Sequence, residues 1–519
     1  MNQNFDLHCH PSFKPMLKTK DRPHCWEAVK VDGDKLVGGI FNSQSNLNQL
    51  INGNVNLAVV SLHALEMSFA KQWLLKDVLS FLSRKHVEKK TIEEIASGNK
   101  PYHTTLTEEL ANLLAHPQNP NDPKQGMKII KSISEYDKDD FNTLHIILAV
   151  EGGHCFYEDT NKGEEAVVIL DRLRKFKNQH RLLYITLTHL GQNTLCNHCY
   201  GIKIFSRKDF MPNGTVQDGK LYSGLTELGK QFIRQVVEEN DKGKSTFIDI
   251  KHMSLQSRLD YYKLRKDEPE NFYNIPIVAS HMGVTGISYK KITDTIITTV
   301  FNEEKQYFKI VYKKVVGHLS ESHFNPISIN LYDEDIIEIL KSNGLIGISL
   351  DERILGIDTM KGAKVNSEFI SYNDIDLFVT GEVHKYIDHD LSLEHDLEEE
   401  EEEFRFHHYE NENISSPIKL LVNTIVHIVK VGFEVKGTSA WEHICLGSDF
   451  DGLVNPIDNC QGIDSYKKLR EELARAIRAG LAELNQPLIR IKGIEFNEYG
   501  LTELIMFGNA KNFLNKYYN

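Results

Sequence analysis

Eight short apolar runs, rich in β-branched residues and each ending in His, Asp or Glu, punctuate this sequence of 519 residues. They are Phe5–His10 (FDLHCH), Asn56–His63 (NLAVVSLH), Leu144–Glu151 (LHIILAVE), Leu182–His189 (LLYITLTH), Ser245–His252 (STFIDIKH), Ile275–His281 (IPIVASH), Leu345–Asp351 (LIGISLD) and His443–Asp449 (HICLGSD). Near-continuous apolar strands suit a parallel sheet covered on both faces. Helical periodicity fills the intervals: Glu164–Phe176, then Leu225, Leu228, Phe232 and Val236, then Ile418–Val431, with Ser465–Leu484 after the last strand. Alternating strands and helices predict an α/β protein, and eight strands predict a closed (β/α)8 TIM barrel rather than an open sheet. In such a barrel the C-terminal strand ends converge on the face where active sites are built. One polar strand end is punctuation; eight ionisable ones describe a site.

A barrel of this kind needs only about 250 residues, so the rest is expected as insertions around 64–143, 190–223, 290–330 and 352–416 of a single domain spanning 1–519. Residues 388–414 are charge-rich, with the run Glu398–Glu403 followed by His407 and His408, and read as solvated surface loop. No internal repeat is present. At 40% hydrophobic and 26% charged residues the chain can build a large core, which excludes a disordered or collagenous protein. A net charge of −13 argues against gripping nucleic-acid phosphates. No run of about 18 apolar residues predicts a membrane span, and the start MNQNFDLHCHPSF has no leader-like apolar stretch. Seven cysteines, an odd number thinly spread, fit reduced thiols in a cytoplasm. Homo-oligomerisation is left open.

His8 and His10 stand two apart on the first strand and so share a face. An isolated H-x-H is as often a pair of half-buried or surface histidines as a ligand pair. Glu151, His252, His281 and Asp449, each at a strand end, change that balance. Four imidazoles and two carboxylates suit zinc or a similar divalent ion. Six ligands exceed one tetrahedral ion and suit two ions bridged by a carboxylate, which can share a hydroxide, lower its pKa and polarise a scissile carbonyl. Binuclear hydrolysis is the chemistry this set supports.

Six segments occur in one order: VEGGH (Val150–His154), LTH with a following Asn (Leu187–His189, Asn193), GLTELGK (Gly224–Lys230), DIKHMS (Asp249–Ser254), SHMG (Ser280–Gly283) and GSDFDG (Gly447–Gly452). Together they resemble the membrane (renal) dipeptidase family, zinc peptidases of the amidohydrolase-like barrels. Glu503–Tyr517 (ELIMFGNAKNFLNKY) looks like that family's closing helix. The resemblance covers roughly 144–290, 330–351 and 420–519, plus the first strand. It implies two divalent ions, zinc by preference, with His8 and His10 on the first, His252 and His281 on the second, and Glu151 as the bridge. It further implies that Asp449 lies against the metal-bound water and shuttles its proton to the leaving amine. His189 matches the substrate-binding histidine that stabilises the developing oxyanion. The implied substrate is a dipeptide or related small molecule.

Two departures stand out. The family's first strand reads H-x-D, whereas this chain has His8-Cys9-His10. The family's arginine for the substrate carboxylate aligns with Ile329, which removes bidentate recognition of a C-terminal carboxylate; Lys290 and Lys291 are the candidate substitutes. Ile329 therefore keeps open a binuclear amidohydrolase acting on another substrate, such as an acyl-amino acid, a lactone, a phosphoester or another small amide. A non-catalytic binding protein on the same barrel is the reading from a different class. His63 and Asp351 are expected to be core or supporting polar groups. His154 is expected either to orient Glu151 or to pack, and Cys196-x-x-Cys199, with His198 between, reads as structural.

Overall fold

The computed structural model describes residues 2–17, 24–30, 42–75, 89–158, 164–201, 215–217, 220–302, 307–356, 366–372, 374–379, 417–486 and 488–519. The Glu398–Glu403 run, His407 and His408 lie outside the described residues. The eight apolar runs form one parallel path of strands: β1 (Asn4–Cys9), β2 (Val55–His63), β3 (Thr143–Glu151), β4 (Leu182–Thr186), β5 (Phe247–Asp249), β6 (Ile277–Met282), β7 (Leu345–Ile348) and β8 (Ile444–Leu446), paired in that order. Their registers bring functional ends level, with His63 opposite Glu151 and Thr186 opposite Asp249. Between β8 and β1 the barrel closes at its C-terminal end, where His10 N–H donates to Phe450 O at 2.8 Å and Asp449 N–H donates to His8 O at 2.9 Å.

The reason these runs become parallel strands is visible in their burial: all nine residues of β2 and all six of β1 and β6 are buried, leaving no polar face for water. Helices α1 (Leu47–Asn52), α2 (Tyr102–Leu114), α3 (Ala166–Gln179), α4 (Glu227–Val237), α5 (Leu255–Asp267), α6 (Asp333–Lys341), α7 (Pro417–Lys436) and α8 (Tyr466–Glu483) follow the strands in turn. Two sequence motifs prove partly structural. Thr226 of GLTELGK caps α4 through Gly229 N–H, and Ser254 of DIKHMS caps α5 through Ser257 N–H.

Inside the barrel, Leu7, Leu57, Ile147, Leu183, Val278 and Leu345 pack against Phe507, Phe513 and Leu514 of the C-terminal helical segment. That segment runs Glu498–Glu503, a π-type turn Leu504–Gly508 and Asn509–Tyr517. It plugs the end of the barrel opposite the site, so the C-terminal face alone is left for chemistry.

The insertions after β6 and β7 jointly build a three-stranded antiparallel sheet from Ile296–Asn302, Tyr307–Tyr312 and Asn366–Ser371. Its buried face, with Phe308, Ile310, Tyr312 and Ile370, packs on Leu255 of α5 and on Tyr332. Glu368 of this sheet accepts from Ser328 N–H and from the Ser328 and Tyr312 hydroxyls. Buried Arg258 of α5 donates to Ser328 O at 2.8 Å and Asn330 O at 3.1 Å and pairs with Asp335 at 2.8 Å. The loop carrying Ile329 is thereby clamped from both sides.

Candidate metal centre

The seven residues singled out at the strand ends come together: five histidines surround the Glu151 carboxylate, and Asp449 lies beside three of them. Glu151, at the end of β3, has Oε1 at 3.2 Å from His252 Nε2, 3.5 Å from His8 Nε2 and 3.6 Å from His281 Nε2. Its Oε2 lies 3.3 Å from His10 Nε2 and 3.8 Å from His189 Nε2. Asp449 Oδ1 stands 3.6 Å from His8 Nε2 and 3.4 Å from His10 Nε2, and its Oδ2 is 3.8 Å from His281 Nε2. Ligand atoms on a tetrahedral zinc with bonds of about 2.0–2.1 Å sit roughly 3.3 Å apart, close to these spacings. His8 and His10 are tighter, with their Nε2 atoms 2.9 Å apart.

Two of the rings, His8 and His281, are held in the tautomer that suits a metal ligand. The Tyr184 hydroxyl donates to Leu7 O at 2.9 Å, so at 2.7 Å it accepts from His8 Nδ1–H and leaves Nε2 facing the centre. Ser280 Oγ donates to Asp249 at 2.6 Å and at 2.8 Å accepts from His281 Nδ1–H in the same way. His281 Nε2 is then buried with no hydrogen-bond partner among the described residues. A buried acceptor of this kind is costly unless something electropositive meets it, and a divalent ion among these donors is what the set fits.

Backbone conformation confirms that the ends are specialised. His252 and Asp449 both adopt left-handed φ, at 66° and 63°, which non-glycine residues rarely take. Gly152, after Glu151, has φ 95°, and a Cβ there would meet the His154 ring.

Charge is balanced within the cluster. Burial alone would raise Glu151, but His189, His8 and the hydrogen bonds from His10 and His252 hold it well below the usual carboxylate range. Burial lowers His10, yet Asp449 and Glu151 outweigh it and hold the ring at about 10. Burial dominates at His252, pushed down to about 3, and at His281, well below its ordinary value.

One carboxylate escaped the strand-end pattern. Glu66, three residues beyond His63, accepts from His189 Nδ1–H at 2.6 Å and from Leu190 N–H at 3.2 Å, and its other oxygen is 3.2 Å from His63 Nε2. The H-x-x-E spacing after β2 is the only signal that would have found it. Burial lowers His189, but Glu66 and Glu151 outweigh it and raise the ring to about 9, so it is protonated at neutral pH and keeps that proton until the pH rises through about 9. Glu66→Gln is expected to bring His189 down towards its ordinary 6.5 and to reduce catalysis by roughly 10- to 100-fold. The upper limb of the pH–rate profile should move to lower pH; an unmoved limb would exclude this role for Glu66.

The remaining polar candidates bond to backbone or to neighbouring side chains, and His63 also stands with Glu66 and His189 in one ligand-like group. His63 lies 3.0 Å from Glu151 O, His154 Nε2 donates to Ala64 O at 2.7 Å rather than to Glu151, and Asn193 shapes a turn through Leu187 O and Leu195 N–H. Asp351 caps Glu352–Leu355 and binds Arg353 through both oxygens. Cys196 and Cys199 are buried free thiols. Ile329 is buried against Cys199 and Ile354, whereas Lys290 and Lys291 are exposed.

No protein-family model and no curated protein matches the sequence. Solved structures match across the whole chain. A dipeptidase described as a metallopeptidase of family M19 has TM-score 0.51 at 13% identity, covering 99% of this chain and 98% of its own. A metallopeptidase from Rhodobacter sphaeroides, liganded with a phosphinate mimic of the dipeptide L-Ala-D-Ala, has TM-score 0.50 at 13% identity, covering 99% of each. The probable dipeptidase PvdM from Pseudomonas aeruginosa has TM-score 0.50 at 15% identity, covering 99% of this chain and 94% of its own. These structures share the fold of this chain from end to end; one is described as a dipeptidase of a metallopeptidase family, one as a metallopeptidase and one as a probable dipeptidase.

Proposed function

We propose that this protein is a metal-dependent hydrolase that cleaves the amide bond of a dipeptide or a closely related small molecule. The observation that carries the reading is the approach of both histidine pairs, His8 with His10 and His252 with His281, to the single Glu151 carboxylate. Those five residues would hold two divalent ions, zinc best suiting the N/O donor set. When bound, such ions supply Lewis-acid activation of water and of the scissile carbonyl.

Exposure separates holders from reactants. The side chains of His8, His10, Glu151, His252 and His281 are 0–6% exposed, while Asp449 is 19% and His189 15% exposed. Asp449 and His189 therefore face the substrate. Asp449 takes a proton from the attacking water on its carboxylate and returns it to the leaving amine. His189, its Nδ1 tied to Glu66, points Nε2–H at the oxygen on which negative charge develops.

Ile329 favours a second reading, in which the same centre hydrolyses a different small amide or ester. The seven free, buried cysteines support work in a reducing, cytoplasmic setting, and no helix among the described residues is long and apolar enough to cross a membrane. Chelator treatment is expected to abolish hydrolysis of a dipeptide panel, and added zinc to restore it. Folded protein that takes up no divalent metal would sink the proposal.

A further inference from the structure

The first strand changes face part-way along, and that change aims its histidines. Phe5 and Leu7 lie inside the barrel with Leu57 and Val59 of β2, as regular alternation requires. Continued alternation would put Cys9 inside and turn His8 and His10 outwards. Cys9 instead packs with Ala58, Val60 and Leu62 in the layer between sheet and helices. The register shows why: Asp6 stands opposite Ala58 and Cys9 opposite Val60, so three steps on β1 match two on β2. The extra residue makes a β-bulge, which moves every later side chain to the other face. His8 and His10 thereby enter the barrel, where the Tyr184 hydroxyl receives His8 Nδ1–H.

Asp6 is placed to hold that bulge. Its side chain is fully buried, and Oδ1 accepts from His8 N–H at 2.9 Å and from Ser448 N–H at 3.0 Å. Oδ2 accepts from the Tyr466 hydroxyl of α8 at 2.5 Å. A bulge takes a residue out of the strand ladder, and a buried N–H left unpaired there is costly. The Asp6 carboxylate supplies the acceptor that the ladder does not. Because Ser448 N–H shares the same oxygen, Asp6 also fixes the backbone just before Asp449, whose own N–H donates to His8 O at 2.9 Å. The arrangement recurs on the same rim. Asp249 Oδ1 accepts from Lys251 N–H at 3.1 Å and from Ser280 N–H at 3.0 Å. It too ties the residue two ahead of it to the serine that precedes a site residue, His281, on the neighbouring strand.

We infer that Asp6 is a positioning residue of the metal centre: its carboxylate stabilises the bulge that turns His8 and His10 inwards and sets Asp449 against them. It acts through the backbone of its neighbours and touches neither ion nor substrate. That the aimed pair holds an ion rests on the proposed function; the aim itself does not.

The test is titration of metal-free protein with cobalt(II) alone, followed by visible absorption, beside a crystal structure of the metal-free variant. Asp6→Ala is expected to weaken cobalt uptake by roughly 10- to 100-fold, the usual cost of losing a group that orients a ligand, and to dim the visible bands as imidazoles leave the ion. Its crystal structure should show His8 released from Tyr184. Asp6→Asn keeps an oxygen that accepts both N–H groups and should recover most of the affinity. Tyr466→Phe removes the bond to Oδ2 alone and should lower Tm while leaving the cobalt titration unchanged. Asp6→Ser carries both measurements if the Ala variant does not fold. Wild-type affinity in Asp6→Ala, no recovery in Asp6→Asn, or an equal loss of cobalt in Tyr466→Phe would each overturn the inference. A wild type that takes up no cobalt would remove the hydrolytic reading instead. The crystal structure then decides alone, and His8 still bonded to Tyr184 in Asp6→Ala would overturn the role given to Asp6.

Discussion

Glu151→Gln is expected to give a folded barrel that fails to retain two equivalents of metal and loses about 10³-fold or more in kcat/KM. Among the described residues, Glu151 is the one side chain within 3.2–3.8 Å of all five histidines at the centre. An amide of the same shape keeps one acceptor oxygen but loses the negative charge that two cations would share. Ion-based stabilisation of an oxyanion supplies several kcal/mol, and each 1.36 kcal/mol is tenfold in rate, which sets the size of the loss. His10 should fall as well, because Glu151 is one of the two groups holding it at about 10. Metal content by mass spectrometry with assay of the same sample checks both parts. Full retention of two metals would remove Glu151 from the bridging role.

Asp449→Asn is expected to behave differently: metal stays, and kcat falls by about 10²- to 10⁴-fold, the usual worth of a positioned proton-transfer group. The carboxylate lies at the edge of the cluster, 3.4–3.8 Å from three histidines, and is the most exposed of the ligand candidates. Asparagine keeps its shape but cannot take up a proton. Because the four histidines and Glu151 remain, metal content and Tm should be close to wild type. Hydrolysis that survives the substitution undiminished would exclude Asp449 as the proton carrier.

The barrel was legible in the sequence because parallel strands are buried on both faces, so each reads as an apolar run. Runs such as Asn56–His63 and Leu144–Glu151 therefore match β2 and β3 within a residue at either end. The convergence of His8, His10, Glu151, His189, His252, His281 and Asp449 was legible because strand ends of a barrel share one rim. Glu66 was harder. Glu66 follows a strand rather than ending it, and its role depends on the ring of His189, which is 123 residues away. The insertion sheet was not legible at all: its strands come from two separate insertions, and no local pattern announces pairing between Tyr307–Tyr312 and Asn366–Ser371.

The seam between β8 and β1 has a consequence for how the site comes into being. His8 and Asp449 are joined by a backbone hydrogen bond at that seam, yet most of the chain lies between them. Until the last strand docks, the first pair of imidazoles faces no carboxylate from β8, and bringing such distant segments together is the costliest loop closure in the barrel. A cation gripping His8 and His10 near Asp449 would staple the cylinder shut, so its binding energy would also be folding energy. The centre would then be both the tool of the enzyme and the clasp that finishes its assembly.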